Sequence, residues 1–96
     1  MPAVHFTIRW PDASIDHCYS PSRAIQEYLD AGAQYAVPDF VEHCRSALHL
    51  ASERVRAKYG YACSSALDQL DRIERKARQF DATARAVVHV ERLTQE

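Results

Sequence analysis

The sequence predicts a single α+β domain with the element order β-β-α-α-α-β, a three-stranded sheet packed on one face by an antiparallel helical hairpin. Three observations predict it. Val4, Phe6, Ile8 and Trp10 alternate with His5, Thr7 and Arg9, which is the period of a half-buried strand. Val41, Cys44, Leu48, Ala51 and Val55 recur at helical spacing, as do Ala66, Leu70, Ile73, Ala77 and Phe80, with only a short break between the two stripes. Val87, Val88 and Val90 then close the chain with strong β-formers.

Each element has its own local reason. Pro11-Asp12-Ala13-Ser14 is turn chemistry, because proline presets φ and an aspartate side chain bonds nearby backbone. Residues 15–19 therefore return as the second strand of a hairpin, with Ile15, His17 and Tyr19 competing with Cys18 for the inner face. Ser20-Pro21 reads as the start of a first, short helix through Ala24, Ile25, Tyr28 and Leu29, ending near Gly32. Residues 33–37 read as an extended link, since Val37 precedes Pro38. Pro38 opens the longest helix, of roughly six turns, flanked by Phe40, Ala47 and Tyr59 and ended by Gly60. Ser64 or Ser65 begins the next helix. The last strand spans 84–92, and the final three or four residues are expected to fray.

Composition narrows the function classes. The 96 residues are near half apolar and a quarter charged, with a net charge of −1, which supplies no field for a nucleic acid or a membrane surface. Residues 1–50 hold three basic and six acidic side chains and 51–96 nine and seven, an asymmetry too mild to name a partner. Cys18, Cys44 and Cys63 form no CxxC pair, and Met-Pro-Ala-Val-His lacks the pattern of a secretory signal, so free thiols in a reducing cytoplasm are expected. No apolar run approaches the ~20 residues that cross a bilayer.

The histidines do not form a metal motif. In His17-Cys18 and His43-Cys44 the neighbours point apart, and His43 and His49 are six residues apart on a helix, so no metal site is expected. There is no nucleophile elbow and no phosphate-cradling glycine loop, so no catalytic residue is assigned. Glu74 and Arg78 are spaced for an i, i+4 ion pair. The basic run Arg72, Arg75, Lys76 and Arg78 lies on the polar side of its helix without interleaved aromatics, which argues against nucleic acid. One segment carries two readings. Cys63, Ser64 and Ser65 stand at a helix start whose free N–H groups can acidify a thiol or hold an anion, with Lys58 and Tyr61 beside them. The plainer reading makes the same residues a bend between two helices, and it leads.

"RWPD" at 9–12, "CYSPS" at 18–22, "DF" at 39–40 and above all "ASERVRAKYGYACSSALDQL" at 51–70 resemble the small bacterial nitrogen-starvation response protein family, over nearly the whole chain. The resemblance implies a gene cluster shared with a nitrilase, a radical-SAM enzyme, an acetyltransferase and a flavoprotein, linked to nitrile or cyanide nitrogen assimilation. It carries no activity, cofactor or catalytic residue onto these positions, and the histidines are not part of the resembled pattern. The expectation is a non-catalytic accessory or interaction protein, acting on a cluster-encoded protein or as a homodimer. The alternative is a small-molecule or anion binder, or a minor enzyme, at the Cys63-Ser64-Ser65 helix start. Leu50, off the core stripe, and the open edge and second face of a small sheet are the surface features that favour interaction.

Overall fold

A computed structural model of the chain describes residues 3–60, 64–80 and 86–95. It is α+β. The strands are β1 (Val4–Arg9), β2 (Ile15–Ser20), β3 (Gln34–Ala36) and β4 (Val87–Gln95); the helices are α1 (Val37–Tyr59) and α2 (Ser64–Ala77). The sheet has four strands rather than the expected three, in the order β2-β1-β4-β3, with every pair antiparallel.

The expected alternation of β1 holds. Val4, Phe6, Ile8 and Trp10 are buried, and they meet the helices in one core with Phe40, Cys44, Leu48, Leu70 and Ile73. The β1–β2 turn is tight, with the Ala13 N–H donating to the Trp10 carbonyl at 2.8 Å and the Trp10 N–H to the Ser14 carbonyl at 2.9 Å. It sets Phe6 opposite Cys18 and Ile8 opposite Asp16. Directly opposed residues share a face of the sheet, so Cys18 wins the inside, and Ile15 and His17 are exposed.

Asp12 Oδ1 accepts from the Ser14 hydroxyl at 2.6 Å and from the Ser14 N–H at 3.0 Å, while Lys76 of α2 reaches Oδ2 at 3.1 Å. These bonds, the Ser14 hydroxyl foremost, lower the Asp12 pKa to about 2. Ala13 carries the strain of the turn at φ 71, in the left-handed region that suits glycine. Ala13→Gly is expected to raise the unfolding free energy by about 0.5–1 kcal/mol, less steric strain being set against a more flexible unfolded chain. Urea denaturation at constant slope measures it, and a destabilised variant would refute the assignment of strain.

The expected first helix is corrected to one 3-10 turn, Arg23–Glu27, capped by Ser22 rather than Ser20. The Ser22 hydroxyl oxygen accepts from the Ala24 N–H, and the Ser20 hydroxyl donates to the Ser22 carbonyl. Beyond it the Leu29 N–H still donates to the Ile25 carbonyl at 3.0 Å, whereas the Asp30 N–H donates to the Tyr35 hydroxyl at 3.0 Å. The expected link at 33–37 is corrected too. Gln34, Tyr35 and Ala36 pair with His89, Val88 and Val87 as an edge strand, and α1 begins at Val37, one residue before Pro38.

The helical pair stands as expected. In α1 the buried face is Val37, Phe40, Cys44, Ala47, Leu48, Ala51, Ser52 and Val55, whereas Val41 is partly buried and Tyr59 exposed. Gly60 ends α1 at φ 83, its N–H donating to the Arg56 carbonyl. From α2, Ala66, Leu70, Ile73 and Ala77 are buried, and Phe80 packs at the margin of the core. Glu74 does not pair with Arg78 as expected; it accepts from Arg45 of α1 at 2.8 Å, tying the helices together. Gln69 of α2 accepts the Tyr19 N–H at 3.1 Å, which covers part of the exposed edge of β2.

The C-terminal strand also runs further than expected. Val4 pairs with Gln95 and Phe6 with Leu93, so residues 93–95 belong to the ladder instead of fraying. The register shifts between Thr7 and Ile8, leaving Glu91 as the extra residue of a bulge. Val88 and Val90 face the core before it, and Leu93 packs against the core after it, because one inserted residue reverses the parity of a strand.

Candidate functional site

Two regions gather side chains of chemical interest. The first is the α1–α2 turn singled out in the sequence. Lys58, Ser64 and Ser65 lie exposed at that end of the helical pair, and Lys58 Nζ stands 5.5 Å from the centre of the Tyr59 ring. Tyr61 and Cys63 lie outside the described residues. The two other cysteines are buried core groups. Burial, with the Asp16 charge adding, raises the Cys18 thiol to about 12, and burial raises Cys44 well above its ordinary value. A thiolate-selective alkylating agent at neutral pH is therefore expected to spare Cys18 and Cys44 in the native protein and to modify them on unfolding. Peptide mass mapping checks this and leaves the native-state signal to Cys63. Rapid native labelling of Cys18 or Cys44 would contradict their placement in the core.

The second region is the sheet face turned away from the helices. Antiparallel register assembles it from distant parts of the chain. Tyr19, His5 and Thr94 form one row, His17, Thr7 and Arg92 the next, and Ile15, Arg9, His89 and Gln34 a third. Thr7 Oγ1 and His17 Nδ1 share a hydrogen bond of 3.2 Å whose direction follows the imidazole tautomer, and the His5 and Tyr19 rings lie 5.6 Å apart. Arg9 Nε donates to Glu91 Oε1 at 3.0 Å. Three imidazoles and two guanidiniums thus share a face on which Glu91 is the one carboxylate among the described strand residues.

In the sequence His5, His17 and His89 have the look of ordinary surface or partly buried histidines, distant from one another along the chain. The outward alternation of His5, Thr7 and Arg9 was visible, but which residues of β2 and β4 stood beside them was not. No three His, Cys, Asp or Glu side chains among the described residues are grouped to hold a metal ion. The arrangement suits hydrogen-bond donation to an acidic or carbonyl-rich surface.

One end of this face opens into a cleft of about 390 Å³ between the hairpin turn and the start of β4, where Arg9, Trp10, Pro11, Ala86, Val87 and His89 line it. A second cleft, of about 460 Å³, lies along the helical pair. There Arg45 is held by Glu42 at 2.7 Å and by Glu74 at 2.8 Å, so its charge is already matched. No helix among the described residues is long and apolar enough to cross a membrane.

Residues 5–93 match the family model described as nitrogen starvation-induced protein NitG. No curated protein and no solved structure matches the chain.

Proposed function

The chain belongs to the NitG family of nitrogen starvation-induced proteins, and on that premise we propose that it is a non-catalytic accessory protein that works by binding another protein. The setting is the nitrile- or cyanide-linked nitrogen metabolism that the resemblance implies, and the place the cytoplasm. The observation that carries this reading is the uncovered sheet face, where Arg9, Arg92 and three histidines stand against one carboxylate already bonded to Arg9. Such a face complements an acidic partner surface. A second copy applied face to face would set Arg9 and Arg92 against their own kind, so this reading takes a different protein with an acidic surface as the partner.

The test starts from nitrogen-starved cells. A tagged chain is expected to retain a specific protein which, once identified and purified, re-forms a stoichiometric complex with it. The double variant His17→Glu, Arg92→Glu should bind that partner at least about tenfold more weakly, a loss of about 1.4 kcal/mol, while its circular dichroism stays native. A solitary monomer, a homodimer that survives the double variant, or an undiminished complex would each overturn the proposal. The other reading is a small-molecule or anion site, or a minor catalytic site, with Lys58, Tyr61, Cys63, Ser64 and Ser65; native labelling of Cys63 no faster than that of Cys18 or Cys44 would dispose of its thiolate version.

A further inference from the structure

Arg9 and His89 are cross-strand partners although 80 positions separate them in the chain. Both line the cleft at the hairpin end of the sheet, together with Trp10, Pro11, Ala13, Ala86 and Val87 among the described residues. Its volume of about 390 Å³ lies near the lower end of the range for small-molecule sites, about 300–1,000 Å³, which are mostly apolar with a few placed polar groups.

The polar groups here are preorganised. Glu91 holds the Arg9 guanidinium through Nε at 3.0 Å, and the two terminal nitrogens have no partner among the described residues. That leaves the planar fork that matches a carboxylate with two parallel N–H bonds. His89 stands beside it in the same row and offers a ring N–H as a third donor. Trp10, in turn, is fixed. Its Nε1–H donates to Asp16 Oδ2 at 2.7 Å and its ring, 1% exposed, lies against Phe40 and Phe80, so the floor beneath the cleft is set before any ligand arrives.

From this geometry we infer that the cleft binds a small organic carboxylate with a short apolar body. The carboxylate lies on Arg9 and His89, and the body lies against Pro11, Ala13, Ala86 and Val87, above the buried Trp10. Bare phosphate satisfies the donors but covers none of the apolar wall. The cleft shares Arg9 and His89 with the docking face, but His17 and Arg92 do not line it, so the double variant that tests docking leaves the cleft lining intact and the two readings can fail separately.

The chain has one tryptophan, and it lines the cleft, so its emission reports occupancy. Titration with hexanoate is expected to give a saturable change, and the amide of His89 should shift with it in a heteronuclear NMR spectrum. Hexanamide, of the same shape without the charge, should bind at least about tenfold more weakly, and phosphate at matched ionic strength should leave Trp10 unchanged. Arg9→Gln should weaken hexanoate by about tenfold or more; Arg9→Lys, which keeps the charge and loses the fork, should weaken it too and serves if the glutamine variant fails to fold. No saturable response to hexanoate overturns the site. Equal binding of hexanoate and hexanamide reduces it to an apolar patch, and a phosphate response as strong as that of hexanoate overturns the carboxylate assignment.

Discussion

Trp10→Ala is expected to lower the unfolding free energy by about 3–5 kcal/mol, the usual cost of deleting a buried aromatic. Trp10 is 1% exposed and joins all three parts of the fold. Its ring meets Phe40 of α1 edge-on at 5.7 Å and stacks on Phe80, beyond α2, at 5.9 Å. Its Nε1–H holds the half-buried Asp16 of β2 at 2.7 Å. Alanine removes the aromatic packing and also leaves that carboxylate without its donor, a further cost of about 1–3 kcal/mol if the group stays dry. Domains of this kind are stable by only about 5–15 kcal/mol, so the variant should be largely unfolded at modest urea. Trp10→Phe separates the two effects, since it keeps an aromatic in the stack and loses only the indole N–H and some volume; it should cost about 1–3 kcal/mol. Urea melts followed by far-ultraviolet circular dichroism measure both. A Trp10→Ala loss below about 1 kcal/mol would be incompatible with a sealed core at this position.

Ending the chain after Val90 is expected to abolish cooperative folding or to cost several kcal/mol. Residues 92–95 pair with the first four residues of β1, where Thr7, Phe6, His5 and Val4 face Arg92, Leu93, Thr94 and Gln95. Their removal forfeits a run of ladder hydrogen bonds, at about 0.5–1.5 kcal/mol each, together with the packing of Leu93 on the core. It also leaves Val4–Thr7 of β1 as an exposed edge, a template for aggregation, while Ile8 and Arg9 keep their partners Val90 and His89. Thermal unfolding and size-exclusion chromatography of the truncated chain give the answer. A protein of unchanged melting temperature would mean that these residues fray, as the sequence alone suggested.

That disagreement shows where local signals run out. The alternation of Val4 to Trp10, the helical stripes of α1 and α2, the proline-led turn and the stop at Gly60 were all legible, because each is a pattern within one segment. β3 was not. Three residues carry no usable period of two, and Gln34–Ala36 is a strand because β4 offers it a ladder, extended by bonds from Gly32 to Val90 and from Val90 to Ala33. The short helix expected after Ser20-Pro21 failed for a related reason. Ala24, Ile25, Tyr28 and Leu29 sit at spacings that serve an α-helix or a single 3-10 turn, and the chain takes the latter, with the Asp30 N–H bonded to the Tyr35 hydroxyl beyond it. The cleft was invisible altogether, since nothing in the sequence places Arg9 beside His89.

By itself, then, the sequence determined the α+β class, the inward face of β1, the helical pair and the family to which the chain belongs. Only the tertiary structure decided the fourth strand, the order β2-β1-β4-β3, the bulge at Glu91 and the joining of His5, His17, His89, Arg9 and Arg92 on one face. The physical reason is the range of the interactions. Periodicity records which side of a segment leaves water, a property that each segment carries along its own length. Register is an exchange of backbone hydrogen bonds between segments far apart in the chain, and it takes a definite value only when they meet.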